Sequence, residues 1–269
     1  MQYEPVKRSM GRFFSGPLFM RKLLYLFLDL LLLRTWHVKK ALRKISREIS
    51  DRACVLDAGS GFGQYTWRMC RMNKSWKITA VDINAEQIEE CSVFFRKAGM
   101  SENAVFKTAD LAAYISPESY DLILSVDVME HIKEDEIVFK NFNNSLKYNG
   151  ILLVSTPSDK GGSDVHSDDD LSFIHEHVRN GYSIRDITEK MTGAGFSKVE
   201  ALYTYGKPGN ISWKFTMKYP VKMLNISYLF FILLPFYYMI ILPFSMILNI
   251  FDLYLTHKTG TGLLVTAIK

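Results

Sequence analysis

One short stretch, Val55–Gly63 (VLDAGSGFG), constrains the fold of this chain more than any other feature. An apolar run, Ala53–Leu56, leads to a carboxylate at Asp57 and to glycines at positions 59, 61 and 63, after which a helical pattern resumes. Glycines let the backbone turn sharply and let a ligand approach closely, and the free N–H groups of a helix start favour a polar or anionic ligand. The stretch therefore predicts a buried strand, a tight turn and a helix, with a nucleotide-like ligand above the first strand of an α/β sheet.

The spacing of the glycines distinguishes between kinds of nucleotide site. The dinucleotide fingerprint G-x-G-x-x-G would have its third glycine where Gln64 stands here. A strand-end Asp57 followed by G-x-G-x-G instead resembles motif I of the class I S-adenosylmethionine-dependent methyltransferases. A plain tight turn is the alternative, and the motifs further along the chain count against it. The resemblance implies S-adenosylmethionine as cofactor, with its methionine end and the loop held by Asp57, Gly59, Ser60, Gly61 and Gly63.

Strand and helix patterns alternate from Ala53 to about Ser197, which predicts a parallel sheet with helices on both faces. Trp76–Ile83 is the second predicted strand, and Asp82 near its end is placed to accept hydrogen bonds from both hydroxyls of a ribose. Val105–Ala109 is the third. The resemblance implies that Asp110, just after this strand, binds the adenine amino group, although a turn-capping role fits the sequence equally well. The predicted cofactor site also includes Ile83, next to Asp82, and Leu111, next to Asp110.

The fourth predicted strand, Tyr120–Val126, runs into the sequence DVMEHI at Asp127–Ile132. This passage resembles the quinone-precursor and other small-molecule methyltransferases of class I, and the matching motifs together cover Cys54 to about Ser197. By topology, Asp127 is expected to face the methyl donor as a catalytic and cofactor-binding residue. We expect His131 to be the general base, because an ordinary histidine pKa of about 6.5 suits proton transfer. Capping of the following helix is the alternative role for this histidine.

A polar segment, Ser158–Asp170, is predicted to be either a mobile lid or a solvated loop above the sheet edge. After it, His177, Arg179 and Tyr182 are the predicted substrate contacts. His175 and His177 could form a metal site with Glu130 and His131. However, two residues that are two positions apart share a face in a strand but not in a helix, so the spacing does not favour a metal site. We therefore predict polar residues of a substrate pocket and no metal.

Charge is distributed unevenly along the 269 residues. The first 52 residues hold twelve lysines and arginines against four acidic residues, a net charge of +8, whereas the rest hold twenty-one against twenty-four, a net charge of −3. The apolar run Leu23–Leu33 in this basic arm is shorter than the roughly 20 residues of a membrane-spanning helix. It predicts an amphipathic helix in a membrane interface, facing anionic lipids. A helix packed on the domain is the alternative, and nucleic acid is disfavoured because the aromatic residues lie within aliphatic runs.

The second apolar region covers residues 211–255, and within Tyr228–Phe244 the apolar run is interrupted only by Pro235 and Pro243. The following segment, Thr261–Ile268, is predicted to be a seventh strand, antiparallel to the sixth. If that strand joins the same sheet, the apolar excursion must leave and return on one side. We therefore predict a bent, re-entrant hairpin broken at the two prolines. A buried subdomain or a dimer interface is the alternative, because so large an apolar surface requires a cover.

The expected fold is therefore α/β, with a Rossmann-like class I methyltransferase sheet of seven strands whose last strand is antiparallel. An N-terminal amphipathic helix precedes the sheet, and an apolar helical insertion separates its sixth and seventh strands. The predicted segments are a membrane-interface arm (1–52), the methyltransferase domain (53–210), the apolar insertion (211–258) and the final strand (259–269).

The two apolar regions bear on the acceptor, since a soluble metabolite would need neither of them. The sequence predicts methylation of a lipid-soluble acceptor at a membrane surface, and the resemblance implies O-methylation of a polyprenyl-type phenol or quinol. The alternative enzymatic function is N-methylation of a phospholipid or other lipid. The alternative without catalysis is a membrane-bound module that only binds S-adenosylmethionine. The three scattered cysteines form neither a disulfide framework nor a metal motif, which fits the cytoplasmic face of a membrane.

Overall fold

The computed structural model describes residues 17–161, 178–227 and 229–269. A 3₁₀ turn, Met129–His131, follows the fourth strand, and a π-helical turn, Lys214–Lys218, directly follows the helix that ends at Trp213. The described helices are α1 (Leu18–Leu31), α2 (Leu33–Ile45), α3 (Gln64–Met72), α4 (Ala85–Lys97), α5 (Asp135–Ser145), α6 (Ile184–Gly193), α7 (Lys207–Trp213), α8 (Tyr219–Ile226) and α9 (Phe230–Tyr254). The strands are β1 (Cys54–Ala58), β2 (Lys77–Asp82), β3 (Ala104–Thr108), β4 (Tyr120–Val126), β5 (Leu146–Pro157), β6 (Lys198–Thr204) and β7 (Gly262–Ile268).

The seven strands form one sheet in the order β3-β2-β1-β4-β5-β7-β6. The first five strands pair in parallel, and β7 runs antiparallel between β5 and β6. The predicted fold class is thereby confirmed, and the predicted third strand is displaced by one residue. Because β1 lies between β2 and β4, the carboxyl ends of these three strands meet at one edge of the sheet. Ligands bind at such an edge in open α/β folds.

Two apolar layers, one on each face, hold the sheet in place. Alternate residues of a strand point to opposite faces, so Leu56 and Ile123 belong to the layer that α5 and α6 cover, and Val55 and Leu122 belong to the layer under α2, α3 and α4. All four side chains are fully buried. The site at the carboxyl edge therefore rests on two strands that are packed on both faces.

The basic N-terminal arm forms two helices, where the sequence predicts one. The extended conformation of Leu32 (φ −90°, ψ 108°) separates α1 from α2. The side chains of Val38 and Leu42, four residues apart on one face of α2, are fully buried in the domain. In α1 the buried residues are Arg21 and Tyr25. The arm therefore covers the domain, yet α1 still exposes large apolar side chains to solvent, at Phe19, Leu23, Leu26 and Phe27.

The apolar insertion is a helical hairpin whose ascending arm is α7, the π turn and α8, and whose returning arm is α9. The predicted breaks at Pro235 and Pro243 are wrong, because α9 continues through both prolines. The described break is between the two arms, where α8 ends at Ile226 and α9 begins at Phe230. The helix α9 is long and apolar enough to cross a membrane by length and composition. Both arms connect to strands of one sheet, so the hairpin leaves and re-enters the domain.

Two tyrosine hydroxyls join the arms of the hairpin. Pro220 has no backbone N–H, and the N–H of Tyr219 donates to Lys214 O, so the backbone carbonyls of Phe215 and Thr216 lose their helical donors. The hydroxyl of Tyr237 donates to Phe215 O and that of Tyr238 to Thr216 O, both at 2.7 Å. The returning arm thus satisfies the polar groups that the proline leaves unpaired in the ascending arm.

Candidate active site

The glycine loop between β1 and α3 forms the centre of the site. Gly59, Gly61 and Gly63 have φ values of 79°, 48° and 75°, a left-handed region that favours glycine. A Cβ at Gly59 would lie 2.2 Å from the side chain of Val128, whereas one at Gly61 would meet no atom within 4 Å. Gly59 is therefore required by packing, and the space beside Gly61 is open to a ligand.

Asp82, at the end of β2, links the loop to the neighbouring strand. Its Oδ2 accepts a hydrogen bond from the backbone N–H of Gly61 at 2.8 Å, and its Oδ1 accepts one from Asn84 at 2.9 Å. Asn84 in turn caps α4, as its side chain accepts from the N–H of Gln87. A carboxylate has about four acceptor positions, so Asp82 can still accept hydrogen bonds from two hydroxyls. Ile83 follows with 72% of its surface exposed.

Asp57 lies beneath the loop, with 2% of its surface exposed. Its carboxyl accepts a hydrogen bond from the Thr66 hydroxyl. Burial raises the pKa of Asp57 to about 7, although the bond from Thr66 opposes the shift. A cationic group bound nearby would favour the ionised form, which is the charge that an amino acid ammonium needs opposite it.

The predicted adenine end of the site follows β3. Asp110 is exposed, and its Oδ1 accepts a hydrogen bond from the N–H of Ala112 at 2.9 Å, so it does stabilise the turn. Leu111 is 6% exposed, and Asn141 of α5 donates to its carbonyl at 3.0 Å. Asp110 thus has one oxygen engaged in the turn while the carboxylate remains open to solvent. Its contact with adenine stays a prediction.

The N-terminal arm contacts the glycine loop through α1. The guanidinium of Arg21, 1% exposed, donates to the carbonyl of Phe62 at 2.9 Å, and the Tyr25 hydroxyl donates to the same carbonyl. Arg21 also lies 4.8 Å above the ring of Phe94 in α4. Because the Phe62 carbonyl is held by α1, the peptide of the loop keeps one orientation. This contact could not be predicted from sequence, because a buried arginine in a basic arm has the same pattern as an exposed one.

The end of β4 forms an ion pair with the same arm. Asp127 has a left-handed backbone, with φ 52°, and its carboxylate pairs with the guanidinium of Arg34 at the start of α2. The backbone N–H of Arg34 donates to the hydroxyl of Tyr205 at 2.8 Å. Asp127 is therefore neutralised at the predicted reaction edge by a residue 93 positions earlier in the chain. Arg34 could not be identified from sequence, since only the fold brings the two residues together.

The turn after β4 places Glu130 and His131 on opposite sides. Glu130 is 1% exposed and accepts a hydrogen bond from the Thr156 hydroxyl at 3.0 Å. Burial raises the pKa of Glu130, against the effect of its hydrogen bonds and of neighbouring His131. His131 is exposed at the end of the 3₁₀ turn, and the N-cap position of α5 belongs to Glu134. The alternative role of His131 as the cap of the following helix is therefore wrong.

Two of the predicted substrate residues support this turn. Arg179 pairs with Asp135, and the fully buried Tyr182 donates to Asp135 Oδ2 at 2.7 Å. Burial opposes ionisation of Asp135, but the hydrogen bonds from Lys190 and Tyr182 hold its pKa below the usual range. The contact of Arg179 and Tyr182 with substrate stays a prediction. The third residue, His177, lies outside the described residues, and so do His175 and most of the predicted lid.

The part of the chain that the structure describes contains no group of three histidine, cysteine, aspartate or glutamate residues that could hold a metal ion.

Comparison with known proteins agrees with this geometry. A family model described as "Methyltransferase domain" matches residues 49–199, more than half of the chain. The (S)-coclaurine N-methyltransferase of Thalictrum flavum subsp. glaucum is 32% identical over 107 residues, covering 40% of this chain and 29% of that protein. The ubiquinone biosynthesis O-methyltransferase of Pelagibacter ubique is 26% identical over 102 residues, covering 38% of this chain and 41% of that protein. The matched part is thus less than half the length of these curated relatives.

Solved structures share the fold. Phosphoethanolamine N-methyltransferase 2 of Haemonchus contortus, in complex with S-adenosyl-L-methionine, superposes with a TM-score of 0.61 at 17% identity, covering 86% of this chain and 52% of that one. A putative sarcosine dimethylglycine methyltransferase from Galdieria sulphuraria gives a TM-score of 0.55 at 16% identity, covering 87% and 82%. The fold is that of a Rossmann-like methyltransferase domain. The chain belongs to the methyltransferase domain family whose model it matches.

The residues present fit S-adenosylmethionine. The space beside Gly61 is open, and the loop N–H groups of Gly59 and Ser60 are already engaged with Val81 O at 2.8 and 2.9 Å. The hydroxyl of Ser60 is buried and has no hydrogen-bond partner among the described residues, which is costly unless a ligand supplies one. The carboxylates of Asp57 and Asp82 would hold the ammonium and the ribose, and the bound cofactor would supply a methyl group activated by a sulfonium charge.

Proposed function

We propose that this chain O-methylates a polyprenyl-tailed phenol or quinol at the cytoplasmic face of a membrane. The main support for the proposal is the apolar surface that this protein exposes in addition to its predicted methyl-donor site. Side chains of α1 are open to solvent at Phe19 and Leu26, with 66% and 62% exposed, and those of α9 at Met239 and Ile240, with 72% and 75%. Monomeric soluble proteins rarely expose contiguous apolar surface of this extent. A lipid-borne acceptor explains why such surface accompanies the catalytic domain.

The relatives support an oxygen acceptor. Several of the similar curated proteins, from Pelagibacter ubique, Rickettsia prowazekii and Chelativorans, are named ubiquinone biosynthesis O-methyltransferases, with identities of 23 to 28%. Their names describe the chemistry that we transfer here to this chain, namely methylation of a hydroxyl on a molecule with a polyprenyl tail. The unpaired cysteines support the cytoplasmic side, because Cys70 and Cys91 are buried as free thiols.

The mechanism asks three things of the protein's own residues. They must align the acceptor hydroxyl, exclude water and remove a proton as the new bond to oxygen forms. Arg34 and Asp127 form a fixed ion pair at the reaction edge, and α1 and α2 cover the loop. His131, exposed beside that edge, accepts the hydroxyl proton. Glu130 behind it is held by Thr156 and fixes the turn on which the histidine stands.

Methylation of a lipid amine is the second candidate. It is favoured by the 32% identity to the (S)-coclaurine N-methyltransferase. The phosphoethanolamine N-methyltransferase shares the fold, and by name it acts on a phosphorylated amine. An amine that is deprotonated needs no strong general base, so the two candidates differ in how much they depend on His131.

Methyl transfer to a defined acceptor tests the proposal. Labelled S-adenosylmethionine is supplied with a polyprenyl-tailed phenol in anionic vesicles, and in parallel with the same phenol lacking its tail. We expect the tailed phenol to be methylated at least about tenfold more efficiently, because remote binding energy is used to position the hydroxyl. The Asp82→Ala variant serves as the control without donor binding. Equal efficiency for both phenols, or transfer to the tail-less phenol alone, contradicts a lipid acceptor.

A further inference from the structure

The ascending arm of the hairpin carries a row of lysines, and this row determines how the hairpin can lie in a membrane. The residues that face α9 are buried at intervals of three and four, at Gly209, Ser212, Thr216 and Pro220. The lysines occupy the opposite side of the same arm, about half a helical turn away, at Lys207, Lys214, Lys218 and Lys222. The outward face of this arm is therefore basic.

The returning arm has the opposite character. Ser245, Asn249 and Asp252 of α9 are buried, and its outward face is apolar, with Ile232 and Ile250 exposed at 68% and 46%. Between Gly206 and Phe251 the sequence contains no aspartate or glutamate. The hairpin thus has a lysine edge and an apolar edge on its two sides, without acidic groups that would repel phosphates.

This arrangement limits the depth that the hairpin can reach. Lys207 and Lys222 are fifteen residues apart, which corresponds to about 22 Å along a helix. If the hairpin were perpendicular to the membrane, Lys222 would lie beyond the middle of a hydrocarbon core of about 30 Å, where a charge is costly. If the hairpin is parallel to the surface, all four lysines lie at one level. Helices that pack together are about 8–10 Å apart, so α9 can lie among the acyl chains while the lysines lie near the phosphates.

We propose that the hairpin docks flat on an anionic phospholipid bilayer, with α9 in the acyl boundary and the lysine row at the phosphate groups. The inference rests on the proposed membrane location, which it deepens by giving the orientation and the lipid charge. It differs from interfacial binding through apolar contacts alone, because it requires negative lipids. The two arms have complementary roles. The apolar helix α9 inserts into the acyl chains, and the lysines of the ascending arm make binding selective for anionic lipids.

Vesicle binding of the full chain tests the requirement for charge. The variant Lys207→Gln/Lys214→Gln/Lys222→Gln is compared with wild type on phosphatidylcholine vesicles with and without phosphatidylglycerol. Each lysine near an anionic surface contributes about fivefold to binding, so we expect a loss of about a hundredfold on anionic vesicles and little change on neutral ones. The matched control replaces three exposed lysines of the catalytic domain, Lys74, Lys97 and Lys140, and should bind like wild type. Equal loss in both triple variants, or equal binding of wild type to both kinds of vesicle, overturns the proposal.

Depth probes test the orientation. Ile232 and Ile250 are eighteen residues apart, so they share one face of α9 and are separated by about 27 Å. Cysteines at these two positions, labelled in turn with a fluorophore, should be quenched equally by lipids brominated at one depth. A label at 232 that lies much deeper than one at 250 overturns the flat orientation.

Binding of S-adenosylhomocysteine in the same samples separates the two proposals. A protein that binds this product, and methylates a lipid dispersed in detergent, but does not bind anionic vesicles retains the proposed activity and overturns the docking.

Discussion

Replacement of His131 by alanine should lower kcat for a phenolic acceptor by about 10²- to 10⁴-fold, which is the usual contribution of a general base. The histidine is exposed at the end of the 3₁₀ turn, after a strand end fixed by the Asp127–Arg34 ion pair. The loss should shrink as the pH approaches about 10, where a phenol ionises by itself. Binding of S-adenosylhomocysteine should remain unchanged, because the proposed role of His131 is on the acceptor side.

The control for this variant is Lys133→Ala. Lys133 is an exposed neighbour two residues away, and its backbone carbonyl accepts a hydrogen bond from Arg179. Its replacement should leave kcat near the wild-type value. If His131→Ala lowers kcat by less than about threefold with a phenol, and equally at pH 7 and pH 10, the histidine is not the base. Such a result together with rapid methylation of an amine would favour the N-methylation candidate.

Replacement of Asp252 by alanine should destabilise the protein by about 3–5 kcal/mol, as expected when one partner of a buried charged network is removed. Asp252 is fully buried. Its Oδ1 accepts from His37 at 2.9 Å and from the N–H of Tyr205 at 3.1 Å, and its Oδ2 accepts from the N–H of Gly209 at 3.0 Å. His257 lies 3.2 Å from the same carboxylate. The residue therefore joins the base of the hairpin to α2, to the loop after β6 and to the segment before β7.

Thermal unfolding in detergent measures this loss. A fall of about 10 °C in Tm corresponds to the expected effect in a domain of this size. Ser245→Ala is the matched control, since Ser245 is also buried in α9 but its hydroxyl has no hydrogen-bond partner among the described residues. That change should cost less than about 1 kcal/mol. If Asp252→Ala had the same Tm as Ser245→Ala, the network around Asp252 would contribute little to the stability of the protein.

The pH dependence of the same network follows from its charge. Although burial opposes ionisation, the hydrogen bond from His37 and the neighbouring His257 hold the pKa of Asp252 below its usual range. A carboxyl whose pKa is lower in the folded protein stabilises it above the unfolded value of about 4, and this contribution is lost as the pH falls further. Wild type should therefore lose more stability than Asp252→Ala on acidification below about pH 4.

The sheet could be predicted from sequence because each strand is a short local signal. The runs around Leu56 and Ile123 are apolar, are bounded by polar or glycine residues, and occur in alternation with helical patterns. The carboxylates Asp57, Asp82 and Asp127 could be placed at one edge for the same reason. Each of them lies at or directly after the carboxyl end of a strand, and the carboxyl ends of parallel strands lie at the same edge of the sheet.

The cover of the site could not be predicted, because its contacts join distant parts of the chain. Arg21 and Arg34 belong to an arm whose basic composition is equally typical of a membrane-facing helix, and nothing local distinguishes a buried guanidinium from a solvated one. Asp252 is likewise a single acid in an apolar helix until the fold places two histidines beside it. The hairpin was expected to break at Pro235 and Pro243, yet the helix passes through both. Tertiary packing overrides local proline preferences here.

The most direct test of the methyltransferase assignment is calorimetric titration of the detergent-purified full chain with S-adenosylhomocysteine, repeated on Asp82→Ala. We expect micromolar binding by wild type and a loss of about thirtyfold in the variant, since a carboxylate that accepts hydrogen bonds from a ligand contributes about 2 kcal/mol. An equivalent change at the exposed Asp51 should have no effect. Absence of binding by well-folded wild-type protein, or equal affinity in Asp82→Ala, would contradict the donor site described above.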